Sequence, residues 1–178
     1  GSKSVEFNIV NPTITISVTK VWSNPDVDHE GVQAILTGGA TTVEIYLGAE
    51  NEWTNSVEVP KFSEDAETYG EAIQYTLSEV SVPDYDAVIT GNMTDGFVIT
   101  NTYNPKTRIN VNKAWVDQKS DEVQVELYAD GVKVGETVTT EGLTYVWENM
   151  PILKNGQFID YTVKEVNVPA GYKAVVEE

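Results

Sequence analysis

The sequence predicts an all-β protein made of two copies of one unit, each the size of a small β-sandwich. Many segments alternate apolar and polar residues as strands do, and no segment has the periodicity of a long helix. Landmarks of the first half recur in the second, since Lys113 follows Lys20 by 93 residues and Glu165 follows Glu79 by 86. Near-constant spacing of several landmarks indicates a tandem repeat.

The composition limits the possible partners and chemistry. With 178 residues, 40% of them hydrophobic, the chain can bury a core in each of two small domains. A formal net charge of -17 argues against nucleic acid or an anionic membrane surface as partner, because both attract cationic patches. The chain has no cysteine and one histidine, His29, too few for thiolate or two-histidine metal sites. We therefore expect no cofactor and no metal. We also expect no membrane insertion, because no apolar run approaches the length of a membrane span.

Strand-like alternation divides the first copy into segments separated by polar, glycine-rich connections. The acidic segment Ser63–Ile73 has room for a short helical turn. Asn104–Lys106 forms a short linker, after which the pattern begins again at Arg108–Trp115. The predicted strands of the first half are Val5–Asn11, Thr13–Trp22, Thr42–Leu47, Asn55–Val59, Gln74–Val80 and Phe97–Tyr103.

The strand Thr13–Trp22 has a lysine on its apolar face. Alternation places Ile16, Val18, Lys20 and Trp22 on one side. A buried lysine is rare because removing an ammonium from water costs several kcal/mol. Such a lysine is paired with an acidic group, is uncharged, or extends its amine past the edge of the core into solvent. The position of Lys20 therefore needs an explanation.

Two more polar residues, Glu79 and Asn101, lie on the apolar faces of their own strands. Apolar surroundings favour a neutral amine and a protonated carboxylic acid. A neutral Lys20 amine can attack the Asn101 carboxamide while Glu79 carries protons, so that ammonia leaves and a Lys–Asn amide remains. Close approach in a dry core adds the effective molarity that free side chains lack. The alternative is a salt bridge at the edge of the core with a nearby amide.

The segments VTKVW, YTLSEVSVP and ITNTY resemble those of CnaB-type domains, the immunoglobulin-like repeats of Gram-positive collagen adhesins and pilins. VNKAW and YTVKEVNVPAGY in the second copy are similar to the same pattern. The resemblance implies a sandwich whose adjacent first and last strands are joined by a spontaneous isopeptide bond. It assigns Lys20 as nucleophile, Asn101 as electrophile and Glu79 as the catalytic acid and base. It also implies a structural stalk of an extracellular, cell-wall-anchored surface protein, which is not an enzyme because it crosslinks itself once.

The second copy contains Lys113 and Glu165 but no counterpart of FVITNTY before Glu178. The N-terminal FNIVN matches FVITN, with Asn11 in the place of Asn101. We therefore divide the chain into an orphan last strand at 1–11, a first domain at 12–104 and a second domain at 105–178. We hypothesise that the orphan strand completes the second domain of a neighbouring molecule, head to tail. Asn11 would then bond to Lys113 with the help of Glu165, unless sequence absent from this chain supplies the strand.

Other functions remain open at this stage. The chain could be an adhesive module that binds a host protein or glycan, with Trp53 as the exposed contact. It could also be an accessory β-sandwich of a secreted carbohydrate-active enzyme. The acidic loop Asn24–Glu30 carries oxygen ligands that could bind calcium, although a solvated loop explains it equally simply. Trp22 and Trp115 recur at equivalent positions, where a role in the core is expected.

Overall fold

A computed structural model describes residues 1–116 and 122–175. The chain divides into two compact units, Gly1–Tyr103 (unit 1) and Asn104–Glu178 (unit 2). The described residues form strands joined by turns, with one short 3-10 turn at Ala49–Asn51. The predicted all-β, immunoglobulin-like fold class is confirmed.

Unit 1 is a sandwich of a four-stranded and a three-stranded sheet. The strand orders are β4-β1-β7-β6 and β3-β2-β5. The strands are β1 (Thr13–Trp22), β2 (Val32–Gly38), β3 (Thr41–Leu47), β4 (Thr54–Pro60), β5 (Thr76–Glu79), β6 (Tyr85–Asn92) and β7 (Gly96–Tyr103).

The first and last strands of unit 1 are hydrogen-bonded neighbours. β1 pairs with β7 in parallel, and the register places Lys20 opposite Ile99 and Trp22 opposite Asn101. On its other edge β1 pairs antiparallel with β4. Because β1 lies between two strands, its inward side chains are covered by neighbours on both sides.

The core of unit 1 forms because alternate residues of facing strands point inward. Along β1, Ile16 and Val18 are fully buried, while Ser17 between them is exposed. Leu36 and Ile45 from the opposite sheet are also buried in this core. Lys20 and Asn101 therefore lie on faces that the hydrophobic pattern directs into the core.

Unit 2 repeats part of this plan. Its sheets are β10-β9-β14 and β11-β8, with a small hairpin β12-β13. Among the described residues of unit 2, β8 pairs with β11 alone, whereas β1 of unit 1 has two neighbours. The strands are β8 (Lys106–Asn112), β9 (Gln124–Ala129), β10 (Val132–Thr139), β11 (Thr144–Pro151), β12 (Leu153–Lys154), β13 (Gln157–Phe158) and β14 (Tyr161–Val166).

The structure differs from the predicted elements in four places. Residues Val5–Asn11 form no strand in the single chain, where a strand would have no neighbour to pair with. Strands β2 and β6 were not predicted, because small residues interrupt the apolar face of β2 and most of β6 is exposed. Ser63–Ile73 forms turns and no helix. The strand expected at Arg108–Trp115 ends at Asn112, so Lys113 follows it.

Candidate functional site

The core of unit 1 brings Lys20 and Glu79 together across the sandwich. Lys20 comes from β1 and Glu79 from β5 in the facing sheet. The Lys20 Nζ lies 3.5 Å from Glu79 Oε1, and their side chains are 0% and 2% exposed. An amine and a carboxyl group are thus enclosed together, as the alternation predicted.

Asn101 is the third buried polar residue and lies on the strand beside Lys20. It is fully buried, and its register partner on β1 is Trp22. The Lys20 Nζ lies 3.9 Å from the centroid of the Trp22 ring. The lysine side chain therefore extends along β1 from its own position toward the level of Asn101.

The Asn101 amide and the Glu79 carboxyl group have no hydrogen-bond partner among the described residues. Neither the Nδ2 nor the Oδ1 of Asn101 has a partner, and the same is true of both carboxyl oxygens of Glu79. The Lys20 Nζ donates to the carbonyl oxygen of Val21 at 3.3 Å. A buried polar group without a partner costs about 1 to 3 kcal/mol, and a buried amide without any partner calls for a functional explanation.

Burial changes the protonation of the lysine. It lowers the pKa of Lys20 from 10.5 to about 8, and the negative charge of Glu79 opposes this only in part. About a tenth of the amine is therefore neutral at pH 7, whereas an ordinary lysine would have well under a hundredth. A sizeable fraction of this buried amine is therefore uncharged near neutral pH.

Aromatic rings surround Trp22 at this end of the sandwich. The His29 ring stacks on Trp22 with centroids 3.8 Å apart and planes within 2°. Tyr85 and Trp53 meet Trp22 edge-on, at 4.9 Å and 5.6 Å. The prediction that Trp53 is an exposed contact is wrong, because this side chain packs partly buried against the core. The packing of His29 on Trp22 was not predicted, since loop residues carry no periodic signal.

Unit 2 contains a similar but more open pair. The Lys113 Nζ lies 2.8 Å from Glu165 Oε2, and the two side chains are 17% and 10% exposed. Lys113 lies 4.4 Å from the centroid of the Trp115 ring, as Lys20 lies over Trp22. Glu165 Oε1 is buried without a hydrogen-bond partner. The described residues therefore place the amine and the carboxyl group of a second site together.

Asn11 makes its described contacts inside unit 1. Its Nδ2 donates to the carbonyl oxygen of Phe62 at 2.7 Å, and its Oδ1 accepts from the backbone N–H of Phe62 at 3.2 Å. The Nδ2 also lies 3.2 Å from a carboxyl oxygen of Glu64. In the single chain Asn11 thus binds the segment after β4.

The described part of the chain offers no cluster of three or more histidine or acidic residues suited to a metal ion. In the acidic loop after β1, the Asn24 side chain is hydrogen-bonded to the Tyr85 hydroxyl at 3.0 Å. Within the same described ranges, no helix has the length and hydropathy needed to cross a bilayer.

The fold and the site define a tandem β-sandwich protein with a lysine and a glutamate paired in each unit and a buried asparagine in the first. Residues 16–102 and 109–178 match the Cna protein B-type domain, and the chain belongs to this family. It is 30% identical over 182 residues to a collagen adhesin of Staphylococcus aureus, covering 93% of this chain and 14% of the adhesin. The chain thus spans about a seventh of the length of that relative.

Solved structures with similar folds include proteins of Staphylococcus aureus and Lactobacillus rhamnosus GG. A single B repeat unit of the collagen binding surface protein of Staphylococcus aureus is 30% identical, with a TM-score of 0.44, over 93% of this chain and 92% of that chain. The shaft pilin of Lactobacillus rhamnosus GG is 16% identical, with a TM-score of 0.39, over 92% of this chain and 91% of that chain.

Proposed function

We propose that the chain is a structural stalk module of a Gram-positive surface adhesin or pilus, stabilised by an autocatalytic Lys20–Asn101 isopeptide bond. Membership of the Cna protein B-type family supports the stalk role, as does the similarity to a collagen adhesin. The module would act outside the cell, in a cell-wall-anchored protein, with neighbouring domains as its direct partners. Its chemistry is a single self-modification without turnover.

The observation that carries the bond is the burial of Asn101, with both polar atoms unpartnered, on the strand beside Lys20. The neutral Lys20 amine attacks the Asn101 side-chain carbon, and Glu79 acts as the base and then the acid that carries a proton between the two nitrogens. The new C–N bond forms, the old bond to the amide nitrogen breaks, and Glu79 transfers a proton from the amine to the departing nitrogen. One ammonia leaves, so atoms and charge balance.

The bond would carry load past most of unit 1. Tension that enters β1 at Thr13 would reach Lys20, cross the new bond to Asn101 and leave along β7. The residues between Lys20 and Asn101 would not be stretched. Closing this loop would also stabilise the unit by roughly 4 kcal/mol, by analogy with a disulfide closing a loop of similar length.

The test is the intact mass of the purified chain. The wild-type protein is expected to be lighter than its sequence by one ammonia for the unit 1 bond. Lys20→Ala and Asn101→Ala should each restore the full mass, and Glu79→Gln should leave most molecules unbonded. Lys61→Ala, in unit 1 but outside the site, is the matched control and should retain the loss. A wild-type chain of full mass would overturn the proposal.

We also propose that Lys113 of unit 2, assisted by Glu165, forms an isopeptide bond to an asparagine on the N-terminal segment of a neighbouring molecule. The free edge of β8 among the described residues supports this, because open edges favour pairing with another strand. Phe7 and Ile9 are 87% and 98% exposed, so the segment gains burial by adding to a sheet. The alternation of inward and outward residues assigns Asn11 as the acceptor, in the place of Asn101. If the segment paired with unit 2 in the register that β7 has on β1, Asn11 would lie beside Trp115.

Chain spacing gives a second candidate acceptor on the same segment. Asn8 lies four residues before Pro12, as Asn101 lies four before Pro105. The carbonyl oxygen of Pro12 accepts a hydrogen bond from the backbone N–H of Lys61, just after β4, at 2.8 Å. The carbonyl oxygen of Pro105 accepts one from the backbone N–H of Ile152, just after β11, at 3.0 Å. The two Asn–Pro junctions are therefore structurally equivalent. Asn8 and Asn11 are three residues apart, so in a strand they point to opposite faces. Only one of them can therefore face the interior in a given register.

A denaturing gel at increasing protein concentration tests this intermolecular link. A ladder of covalent oligomers is expected for the wild-type chain and should disappear in Lys113→Ala. If Asn11 is the acceptor, Asn11→Ala should remove the ladder. Asn8→Ala is the matched control and should then keep it. Fragment masses of the crosslinked peptide identify the acceptor directly. Monomer alone at every concentration would reject the link without affecting the bond in unit 1.

A further inference from the structure

We propose that His29 is a positioning residue for the Lys20–Asn101 bond. Its ring covers the outer face of Trp22 and so keeps water away from the Lys20 amine. This inference rests on the proposed function of the unit 1 site, and it assigns a role to the single histidine of the chain.

The two faces of the Trp22 ring have different occupants. The His29 ring lies parallel to it, with the centroids 3.8 Å apart. The Lys20 Nζ lies 3.9 Å from the centroid of Trp22. A ring stacked at 3.8 Å fills one face, so the amine must occupy the other. Trp22 is thus held between the nucleophile and the histidine, and its register partner on β7 is Asn101.

His29 is fixed in this position by its own contacts. Its Nε2 is 2.9 Å from the carbonyl oxygen of Asn24, within hydrogen-bond distance. The Asn24 side chain and the Tyr85 hydroxyl are hydrogen-bonded at 3.0 and 3.1 Å. Tyr85 also meets Trp22 edge-on, at 4.9 Å. The loop that carries His29 is therefore anchored to β6 at both Asn24 and the aromatic cluster.

An open cleft borders this loop, and Trp22 is one of its lining residues. The cleft has a volume of about 450 Å³ and is also lined in part by His29, Val82 and Tyr85. Trp22 itself is only 8% exposed. Removing the imidazole would extend the cleft onto the face of Trp22. Water there would solvate the nearby amine and favour its charged, unreactive form.

Unit 2 also has a lysine over a tryptophan. Lys113 lies over Trp115, and unit 2 contains no histidine. The ring of Tyr172 meets Trp115 edge-on at 5.5 Å instead of stacking on it. The Lys113 side chain is 17% exposed, compared with 0% for Lys20. Of the two lysines, the less exposed is thus the one whose tryptophan carries the stacked His29 ring.

The pH profile of bond formation tests the role of His29. Chains assembled by chemical synthesis and ligation in guanidinium, so that they have never folded or bonded, are refolded by dilution at pH 6 to 10, and the loss of ammonia is timed by intact mass. The wild-type rate should rise about tenfold per pH unit and level off near pH 8, where Lys20 loses its proton. His29→Ala should move this plateau upward by about one pH unit, so that the rate at pH 7 falls about tenfold. His29→Phe restores a stacked ring and should restore the profile.

The other titratable groups near the amine are Glu79 on β5 and Tyr85 on β6. Both are retained in these variants. Asp28→Ala, in the same loop, is the matched control and should keep the wild-type profile. An unchanged profile in His29→Ala would overturn the proposal, as would failure of His29→Phe to restore it.

A second measurement separates this proposal from the bond itself. In Asn101→Ala no bond can form, and NMR titration reports the Lys20 pKa directly. Adding His29→Ala to that variant should raise the Lys20 pKa, and the same spectra show whether the chain is folded. If the wild-type chain never bonds but this pKa still rises, the proposed bond fails while the covering role of His29 stands. If the pKa does not move, the covering role is rejected.

Discussion

At the scale of single residues, the site depends on where a strand directs its side chains. Lys20, Glu79 and Asn101 could be predicted from sequence because alternation fixes the face of each residue in a strand. The burial of all three agrees with that pattern. His29 and the true environment of Trp53 could not be predicted, because loop residues follow no period and their packing depends on the folded chain.

The buried amine should make the stability of an unbonded chain depend on pH. In Asn101→Ala, native Lys20 would lose its proton near pH 8, while the unfolded chain keeps it to about pH 10.5. Between these values the unfolded state binds more protons, so the free energy of unfolding should rise with pH. The expected gain is on the order of 1 to 3 kcal/mol. Urea unfolding between pH 7 and 11 measures it.

The control for this experiment removes the titrating amine. Lys20→Met combined with Asn101→Ala should lack the rise, since its other titrating groups are unchanged. Equal pH slopes in the single and double variants would show that Lys20 has an ordinary pKa in the folded state.

At the scale of secondary structure, the site requires β7 to lie at a fixed register beside β1. Gly96 begins β7 with a positive φ of 99°, and a Cβ there would overlap the Ser17 side chain of β1. Only glycine combines this backbone conformation with so close an approach. The start of β7, and with it the position of Asn101, thus depends on a residue with no side chain.

Gly96→Ala should therefore destabilise unit 1 by more than backbone strain alone. Gly70 is the matched control, because its φ is also positive, at 81°, and nothing lies within 4 Å of its added Cβ. We expect Gly70→Ala to cost about 1 kcal/mol. Gly96→Ala should cost about 0.5 to 1.5 kcal/mol more, because the Ser17 hydroxyl must rotate away from the added methyl group. The difference is measured by urea unfolding of both variants in the Asn101→Ala background, and equal costs would contradict the steric explanation.

The elements themselves were predictable where apolar and polar residues alternate clearly. β1, β3, β4, β5 and β7 follow this pattern and were predicted within a few residues. The inward residues of β2 include Ala34 and Gly38, which weaken the apolar signal, and β6 has little buried surface to produce one. The segment Val5–Asn11 alternates like a strand but remains unpaired in the single chain. A strand needs a neighbour as well as a pattern.

At the scale of the whole molecule, the two units differ in the size of their cores. The buried cluster of unit 1 includes inward residues of both sheets, such as Ile16, Leu36 and Ile99. Among the described residues of unit 2, the buried hydrophobic side chains are Val123, Val125 and Leu127. Since burial of apolar surface is the main stabilising contribution, unit 2 should be the less stable unit.

Heating should therefore produce two transitions in calorimetry, with unit 2 unfolding first. Leu127→Ala should lower the temperature of the first transition, and Leu36→Ala that of the second, because each removes a fully buried side chain. Each change is expected to cost about 2 to 5 kcal/mol in its own unit. A single transition, or a shift of the upper transition by Leu127→Ala, would contradict independent units.

The parallel pairing of β1 and β7 has a further mechanical consequence for unit 1. Two neighbouring strands that run the same way enter and leave the sandwich at opposite poles. A pull on the N-terminal end of β1 and the C-terminal end of β7 then loads the two strands in shear. All the hydrogen bonds between them are strained together, and they cannot break one at a time. Even a variant that never forms the isopeptide bond should resist stretching better than its equilibrium stability suggests.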